Sequence, residues 1–447
     1  MTFAAIFLIV VNKKNAQMTK TFINSIILLF AATVFISSCK NETTTPDPEP
    51  TPTKNVVVSG LLNASTTWAA DTIYELAGKV VVGSGITLTI QPGTIIKGRT
   101  GAGSLASALV IAQGGKINAI GTAAKPIIFT SILDNIKVGE TSGTNLNEND
   151  REKWGGMIVL GNAPVSTGDG DVIGQIEGIP ANEPYGKYGG DNPADNSGSL
   201  AYVSIRHGGA VIGEGNEING LTLGGVGNGT MIHHIEIVAN LDDGIEFFGG
   251  TVNVSDVVIA FQDDDGLDLD QNYSGTIDNF YVVHGGVGTD EGLEIDGPEG
   301  STHTDGLFTI QNGTIRTIDG NGSGTDLKSK AQGTIKNVTY EGYSKFIKVS
   351  SKFDSDNCAA KTDAYTHAIG NTLNVTNCEV KTGTVEDMYN VYSKQADCFS
   401  PVESTYQTAL DSVWSQKMNV VVSSFTKGAS DMTAFDWTWT KAKGFLQ

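Results

Sequence analysis

Apolar residues in this chain come in short runs with period-two alternation, cut every few residues by glycine, asparagine, aspartate or proline. That pattern predicts short strands, among them residues 80–82, 87–90, 94–96, 109–111 and 127–129, and further along 235–238, 257–260 and 280–283. A Gly-Thr-aliphatic triplet recurs at Gly229, Gly250, Gly275, Gly313 and Gly333, in steps of 21, 25, 38 and 20 residues. Repeats of this length without helical patterning fit single turns of a parallel β-helix, the long step carrying an inserted loop. A solenoid also explains how 447 residues fold without one oversized core, because each coil buries its face against its neighbours.

The expected fold class is therefore all-β, a right-handed parallel β-helix over residues 55–350, followed by C-terminal coils and a small cap over 351–447. In the cap, Ser400-Pro401-Val402-Glu403 has the form of a capping box with proline at the first helical position, and Tyr406, Leu410, Val413 and Trp414 follow at helical spacing. Two long polar segments, 134–153 and 166–199, interrupt the coils, and loops of that length commonly carry function. The second holds Tyr185 and Tyr188, readable as sugar-stacking rings or as staples of the loop to the solenoid.

The N-terminus has a different composition. A basic start at Met18 to Lys20 and an apolar stretch over 22–36, too short for a comfortable span, read as a signal peptide over 1–38, with Met18 a candidate start. The stretch ends in Ile36-Ser37-Ser38-Cys39, which resembles a bacterial lipobox and makes Cys39 the candidate lipidated residue. Residues 39–54 then form a Thr/Pro-rich tether that could extend about 45 Å. Acylation would anchor the protein without a transmembrane helix.

Within the strands, Leu88-Thr89-Ile90-Gln91-Pro92-Gly93-Thr94, Gly121-Thr122, Lys125-Pro126-Ile127-Ile128-Phe129-Thr130-Ser131, Trp154-Gly155-Gly156 and the terminal Phe435-Asp436-Trp437-Thr438-Trp439 are notable. Together they resemble the right-handed β-helix surface lipoproteins of Bacteroidetes, over nearly all of the mature chain. The resemblance implies fold and address: a lipid-anchored protein of the bacterial outer membrane, surface-exposed, with the periplasmic face as the alternative. It says little about function, since one scaffold serves many tasks.

Charge narrows the partners. The first 38 residues hold Lys13, Lys14 and Lys20 and no acid, so without them 26 basic residues face 49 acidic ones, a net of −23. Such a surface repels nucleic acid and favours cations, basic partners or neutral sugars. The acids concentrate in three aligned segments, Asp242-Asp243-Gly244-Ile245-Glu246-Phe247-Phe248, Asp264-Asp265-Gly266-Leu267-Asp268-Leu269-Asp270 and Asp290-Glu291-Gly292-Leu293-Glu294-Ile295-Asp296. Alternation sends Ile245, Phe247, Leu267, Leu269, Leu293 and Ile295 inward. One outward column then reads Glu246, Asp268, Glu294, Asp326, Lys348, and the other Phe248, Asp270, Asp296, Lys328, Ser350.

Like charges one strand spacing apart repel by about 3 kcal/mol at an effective dielectric near 20. Three readings follow: a Ca²⁺ site built on Asp268, Asp270, Glu294 and Asp296, whose oxygens suit that ion; solvated acids that keep the repetitive sheet soluble; or catalysis at Asp296, Asp326 and Lys328, where carboxylates meet a basic side chain. His207, His284 and the adjacent His233-His234 read as structural, and alternation puts only one of the adjacent pair on any given surface. Cys358, Cys378 and Cys398, spaced by 20, allow one disulfide whose pairing the spacing leaves open. The leading functional expectation is a surface module that binds a glycan or an outer-membrane partner; the alternative is a Ca²⁺-dependent polysaccharide lyase or a glycoside hydrolase.

Overall fold

The structure, a computed structural model, describes residues 54–447 except 178, 181, 214, 215, 287, 381–387 and 421–423. The expected signal peptide, Cys39 and the tether up to residue 53 lie outside the described residues. Among the described residues, twenty-five strands join into one continuous set of parallel pairings, a right-handed parallel β-helix, which is the sense that strand twist imposes on parallel crossovers. Each coil has three faces. Two come from a long strand bent in the middle, as in Met231–Val238, Val254–Ala260, Thr276–His284, Phe308–Thr317 and Gly333–Glu341. The third is a short strand: Leu221–Gly224, Ile245–Phe248, Leu267–Asp270, Glu291–Ile295, Ser323–Leu327, Ile347–Ser350 and Tyr389–Tyr392.

The bend has a chemical cause. At the same point of successive coils Asp256, Asn279, Asn312 and Asn337 adopt left-handed backbone, φ between 53° and 58°. Asparagine and aspartate tolerate that region better than other side-chain-bearing residues. Their amides also stack: Asn279 Nδ2 donates to Asp256 Oδ1 at 2.7 Å, and Asn337 Nδ2 to Asn312 Oδ1 at 3.0 Å. A polar seam thus marks the corner while the interior is mainly apolar, with Ile245, Leu267, Leu293, Thr325 and Ile347 in one fully buried row.

The Gly-Thr repeat keeps coil register only between Gly275 and Gly333; Ile232 stacks on Val254 and Val254 on Ile277, which puts Gly229 and Gly250 out of phase. Ile277 stacks on Ile310 and Ile310 on Ile335, steps of 33 and 25 residues, so Gly313 does not start a coil. It lies opposite Phe280 on the second face, where a Cβ would come within 2.0 Å of that ring. Glycine is there to admit the phenyl group. The true coil start is Thr309, aligned with Thr276.

The helix Glu403–Trp414 buries Leu410 and Trp414 as its spacing predicts, but Ser400 does not cap it. Ser400 is itself helical (φ −51°, ψ −38°) and ends the turn Ala396–Phe399, so its hydroxyl donates back to Ala396 O at 2.9 Å. A cap requires extended backbone that points the oxygen forward. The N-cap is Val402, with Pro401 outside the helix. Cys358 and Cys398 form the disulfide, Cα atoms 5.2 Å apart, while Cys378 is free and buried.

Glycines at the turn before the third face let coils approach closely. A Cβ on Gly266 would stand 2.6 Å from Gly292 O and 2.9 Å from Val282 Cγ1. Gly266→Ala should therefore destabilise the protein by about 1–3 kcal/mol, read as a lower urea midpoint with an unchanged starting circular dichroism spectrum. An unchanged midpoint would mean that the turn is not closely packed.

Candidate functional site

The third face carries the acidic columns in the register that alternation predicts: Glu246 pairs with Asp268, Asp268 with Glu294, Glu294 with Asp326 and Asp326 with Lys348. A further column comes from the turns. Asp243, Asp265 and Glu291 succeed one another there, Asp243 Oδ1 accepting Asp265 N at 3.0 Å and Asp265 Oδ1 accepting Glu291 N at 2.6 Å. One oxygen of Asp243 and of Asp265 thus ties coil to coil, leaving the other for the groove between turn and strand.

Most of these acids are withdrawn from solvent, with Asp268 and Glu294 half-buried and only the turn residues Asp264 and Asp290 beside them exposed. Glu246, Asp326, Asp243, Asp265 and Glu291 are all buried. The cover has two sources: Asn219, one coil before Asp243 at the same turn position, lies against Glu246 and Thr222 through its Nδ2, and Tyr188 of the second long loop packs on Phe248 at 5.8 Å between ring centres. The Tyr188 hydroxyl donates to Gln271 Oε1 at 3.1 Å, so this ring is a staple with no free face. Tyr185 is more open and lines a 440 Å³ cavity with Lys79, Ile179, Glu183 and Ile212.

The C-terminal end of the groove is neutralised within the chain. Lys328 pairs with Glu294 and, at 3.5 Å, with Asp296; Lys348 pairs with Glu291 and, at 3.3 Å, with Asp326. Tyr392 donates its hydroxyl to Asp326 at 2.9 Å. The other end has no such balance. Oxygens of Asp243, Glu246 and Asp268 lie within 4.8 Å of one another, and no ion pair among the described residues involves these three. Asp268 Oδ1 is buried without a hydrogen-bond partner, as is the Oδ1 of Asn219, which is 2% exposed.

Of the four residues expected to hold Ca²⁺, only Asp268 belongs to this triad. Glu294 groups instead with Asp265 and Glu291, beside the lysines, and Asp296 faces Lys328. Asp243 escapes a reading based on strand alternation because it sits in a turn, where period two does not apply. The expected catalytic trio is brought into one region, but Lys328 is engaged by Glu294 and Asp296, and Asp326 by Lys348 and Tyr392.

Burial first, and neighbouring carboxylates second, push the groove's acids up. Asp243, Glu246, Asp265 and Asp268 are all held well above the usual carboxylate range. Asp242 is raised to about 7, and Asp264 and Asp296 to about 6.

The histidines divide. His207 Nδ1 meets Asp150 O at 2.8 Å and His284 Nδ1 meets the Tyr343 hydroxyl at 2.9 Å, both in the interior. His233 and His234 overturn the alternation argument. His234 occupies the left-handed corner (φ 53°), so the two rings meet instead of pointing apart.

A family model described as a pectate-lyase-like beta helix domain matches residues 60–418. The chain belongs to that family. No curated protein and no solved structure matches it. Within this pectate-lyase-like β-helix, the acidic groove lies on the outer surface of a parallel sheet, flanked by inserted loops.

Each raised carboxyl binds its proton more tightly in the folded chain, so its stabilisation is present at low pH and is lost as pH rises through its folded pKa. For Asp242 that loss reaches about 7. Buried His207 and His284, lowered to about 4 and about 3, act in the opposite sense as pH falls below their ordinary 6.5. The interval from pH 6.5 to 8 therefore isolates the acids. The metal-free protein should melt higher at pH 6.5 than at pH 8, with a smaller difference in Asp242→Asn; a flat profile would contradict the buried acids.

Proposed function

We propose that this protein is an exported, lipid-anchored β-helix that holds an acidic polysaccharide over a divalent cation bound in the groove of the third face. The observation that carries the reading is the triad of buried Asp243 and Glu246 with half-buried Asp268, without a counter-ion among the described residues and with an unpartnered buried oxygen on Asp268. All-oxygen donors suit Ca²⁺, which takes six to eight oxygens. The residues that would hold it are these three, with Asn219 Oδ1 as a neutral oxygen beside them. A bound ion would supply the positive charge that lets a uronate carboxylate approach a chain whose own surface repels it.

Binding is favoured over elimination because the one candidate base, Lys328, has its ammonium held between Glu294 and Asp296. Hydrolysis has one observation in its favour: Asp296, raised to about 6, and Asp242, raised to about 7, retain protons close to neutral pH, as a general acid must. Uronate and reducing-end release from pectin, alginate and chondroitin decides between the readings. Retention without release supports binding, and Ca²⁺-dependent release supports a lyase.

Millimolar Ca²⁺ should raise the melting temperature, corresponding to about 2.7 kcal/mol at a hundredfold excess over Kd. Asp268→Asn and Asp243→Asn should each remove most of that rise. Equal shifts with Ca²⁺, Mg²⁺ and ionic-strength-matched NaCl would overturn the cation site.

The address belongs to the same proposal: Cys39 acylated, and the folded body held at the outer membrane, surface-exposed or on its periplasmic side. The Cys358–Cys398 disulfide supports an oxidising compartment. Cys39→Ser should move the protein from the membrane fraction to the soluble fraction and abolish labelling by a palmitate analogue. Unchanged partition would remove the anchor from the proposal.

A further inference from the structure

The corner between the first two faces holds a second constellation, different in chemistry from the groove. Met231–Val238 bends at His234, the position that Tyr202, Asp256, Asn279, Asn312 and Asn337 occupy in other coils. In extended backbone His233 and His234 would project to opposite sides; the left-handed residue brings their Nδ1 atoms to 2.8 Å. Both rings are only half-buried. They are also fixed: Tyr202 stacks on His234 at 4.2 Å between ring centres and meets His233 edge-on at 6.3 Å, and Trp437 closes on Tyr202 at 5.5 Å. Asp256 Oδ2 is 3.5 Å from His234 Nδ1. His233 borders a 540 Å³ cavity shared with Asn253, Ser255 and Asp278, which leaves room for water beside the rings.

We propose that His233 and His234 form a binding site for a divalent transition metal of tetragonal preference, Cu²⁺ or Ni²⁺, through their two Nδ1 atoms. Two metal–nitrogen bonds of about 2.0 Å at a right angle place their nitrogens about 2.8 Å apart, whereas a tetrahedral ion such as Zn²⁺ needs about 3.3 Å. The observed separation is that of a cis pair. Without metal, two facing Nδ1 atoms at this distance share one hydrogen, donated by one ring to the other. The ion takes its place, and the donor ring regains its hydrogen at Nε2, so no net proton is lost. Asp256 is the nearest carboxylate and the candidate third donor, and water from the cavity side completes the sphere. The acidic groove, made of oxygens alone, selects hard cations; the imidazole pair selects borderline ones. The two sites lie on different faces and share no residue.

Copper binding to the folded mature chain tests this, with millimolar Ca²⁺ present throughout to occupy the groove. Titration calorimetry should give one Cu²⁺ per chain, and electron paramagnetic resonance should show hyperfine coupling to two nitrogens. His234→Asn, which puts at this corner the residue that Asn279 and Asn312 supply elsewhere, keeps the backbone compatible with the bend. It and His233→Ala should each weaken Cu²⁺ by about tenfold or more and leave coupling to at most one nitrogen. Asp268→Asn should leave copper binding intact while losing the Ca²⁺ response, so failure at one site is separable from failure at the other. Copper affinity unchanged in either histidine variant, or a spectrum without two-nitrogen coupling in the unsubstituted protein, would overturn the site.

Discussion

Each coil of this solenoid sets the same positions one strand spacing, about 4.8 Å, above the last, and everything else in the molecule follows from that enforced repetition. Where the repeated residue is apolar the consequence is a dry interior row, as with Ile245, Leu267 and Leu293. Where it is an amide the consequence is a hydrogen-bonded seam, as with Asn312 and Asn337 at the corner. Where it is an acid, repetition is costly, because like charges at that spacing repel and burial strengthens the repulsion.

The chain resolves that cost in three ways. In the turns, Asp243 and Asp265 each give one oxygen to a backbone N–H of the next coil, so part of the charge is absorbed by the ladder itself. Toward the C-terminus lysine enters the same columns, Lys348 after Asp326 and Lys328 two residues along the strand. Around Asp243, Glu246 and Asp268 neither device suffices, and burial with the neighbouring carboxylates holds all three well above the usual carboxylate range. This is why the unbalanced end of the ladder, and not its most acidic stretch in sequence, is the part to which function is assigned.

The legibility of the sequence follows the same division. Stacking register was readable because period-two alternation and the Asp-Asp-Gly turns repeat in phase, and the pairings from Glu246 to Lys348 needed no tertiary knowledge. Burial of those acids was not readable in full: Asn219 precedes Asp243 in the same turn column, but Tyr188 reaches them from a loop with no periodic relation to the strands. Alternation fails at the histidine pair for a local reason: it presumes extended backbone, and His234 sits where the backbone turns left-handed. Tyr202 at the same corner shows that the position does not require asparagine, so composition alone could not reveal it. Ser400 failed as a cap for a similar reason, since its own helical conformation reversed the direction of its hydroxyl.

The outer column of the third face changes character along the axis in a way that gives the groove a direction. It begins apolar, Val81, Val110 and Ile158 in succession, passes through Thr222, and becomes acidic at Glu246 before ending on Lys348 and Asn390. The apolar part lies beneath the second long loop, whose Ile176, Ile179 and Tyr188 pack on it together with Val165 just before the loop. That loop therefore does not drift over the surface; it is pinned by the hydrophobic half of the same column whose other half is charged. Its staple, Tyr188 on Phe248, stands where the character changes. An extended ligand along the helix axis would meet a loop wall at one end, unbalanced carboxylates in the middle and lysines at the other, so its two directions are not equivalent. A repetitive scaffold has no intrinsic polarity of this kind across its faces; here it arises because side-chain chemistry changes along a column whose geometry does not.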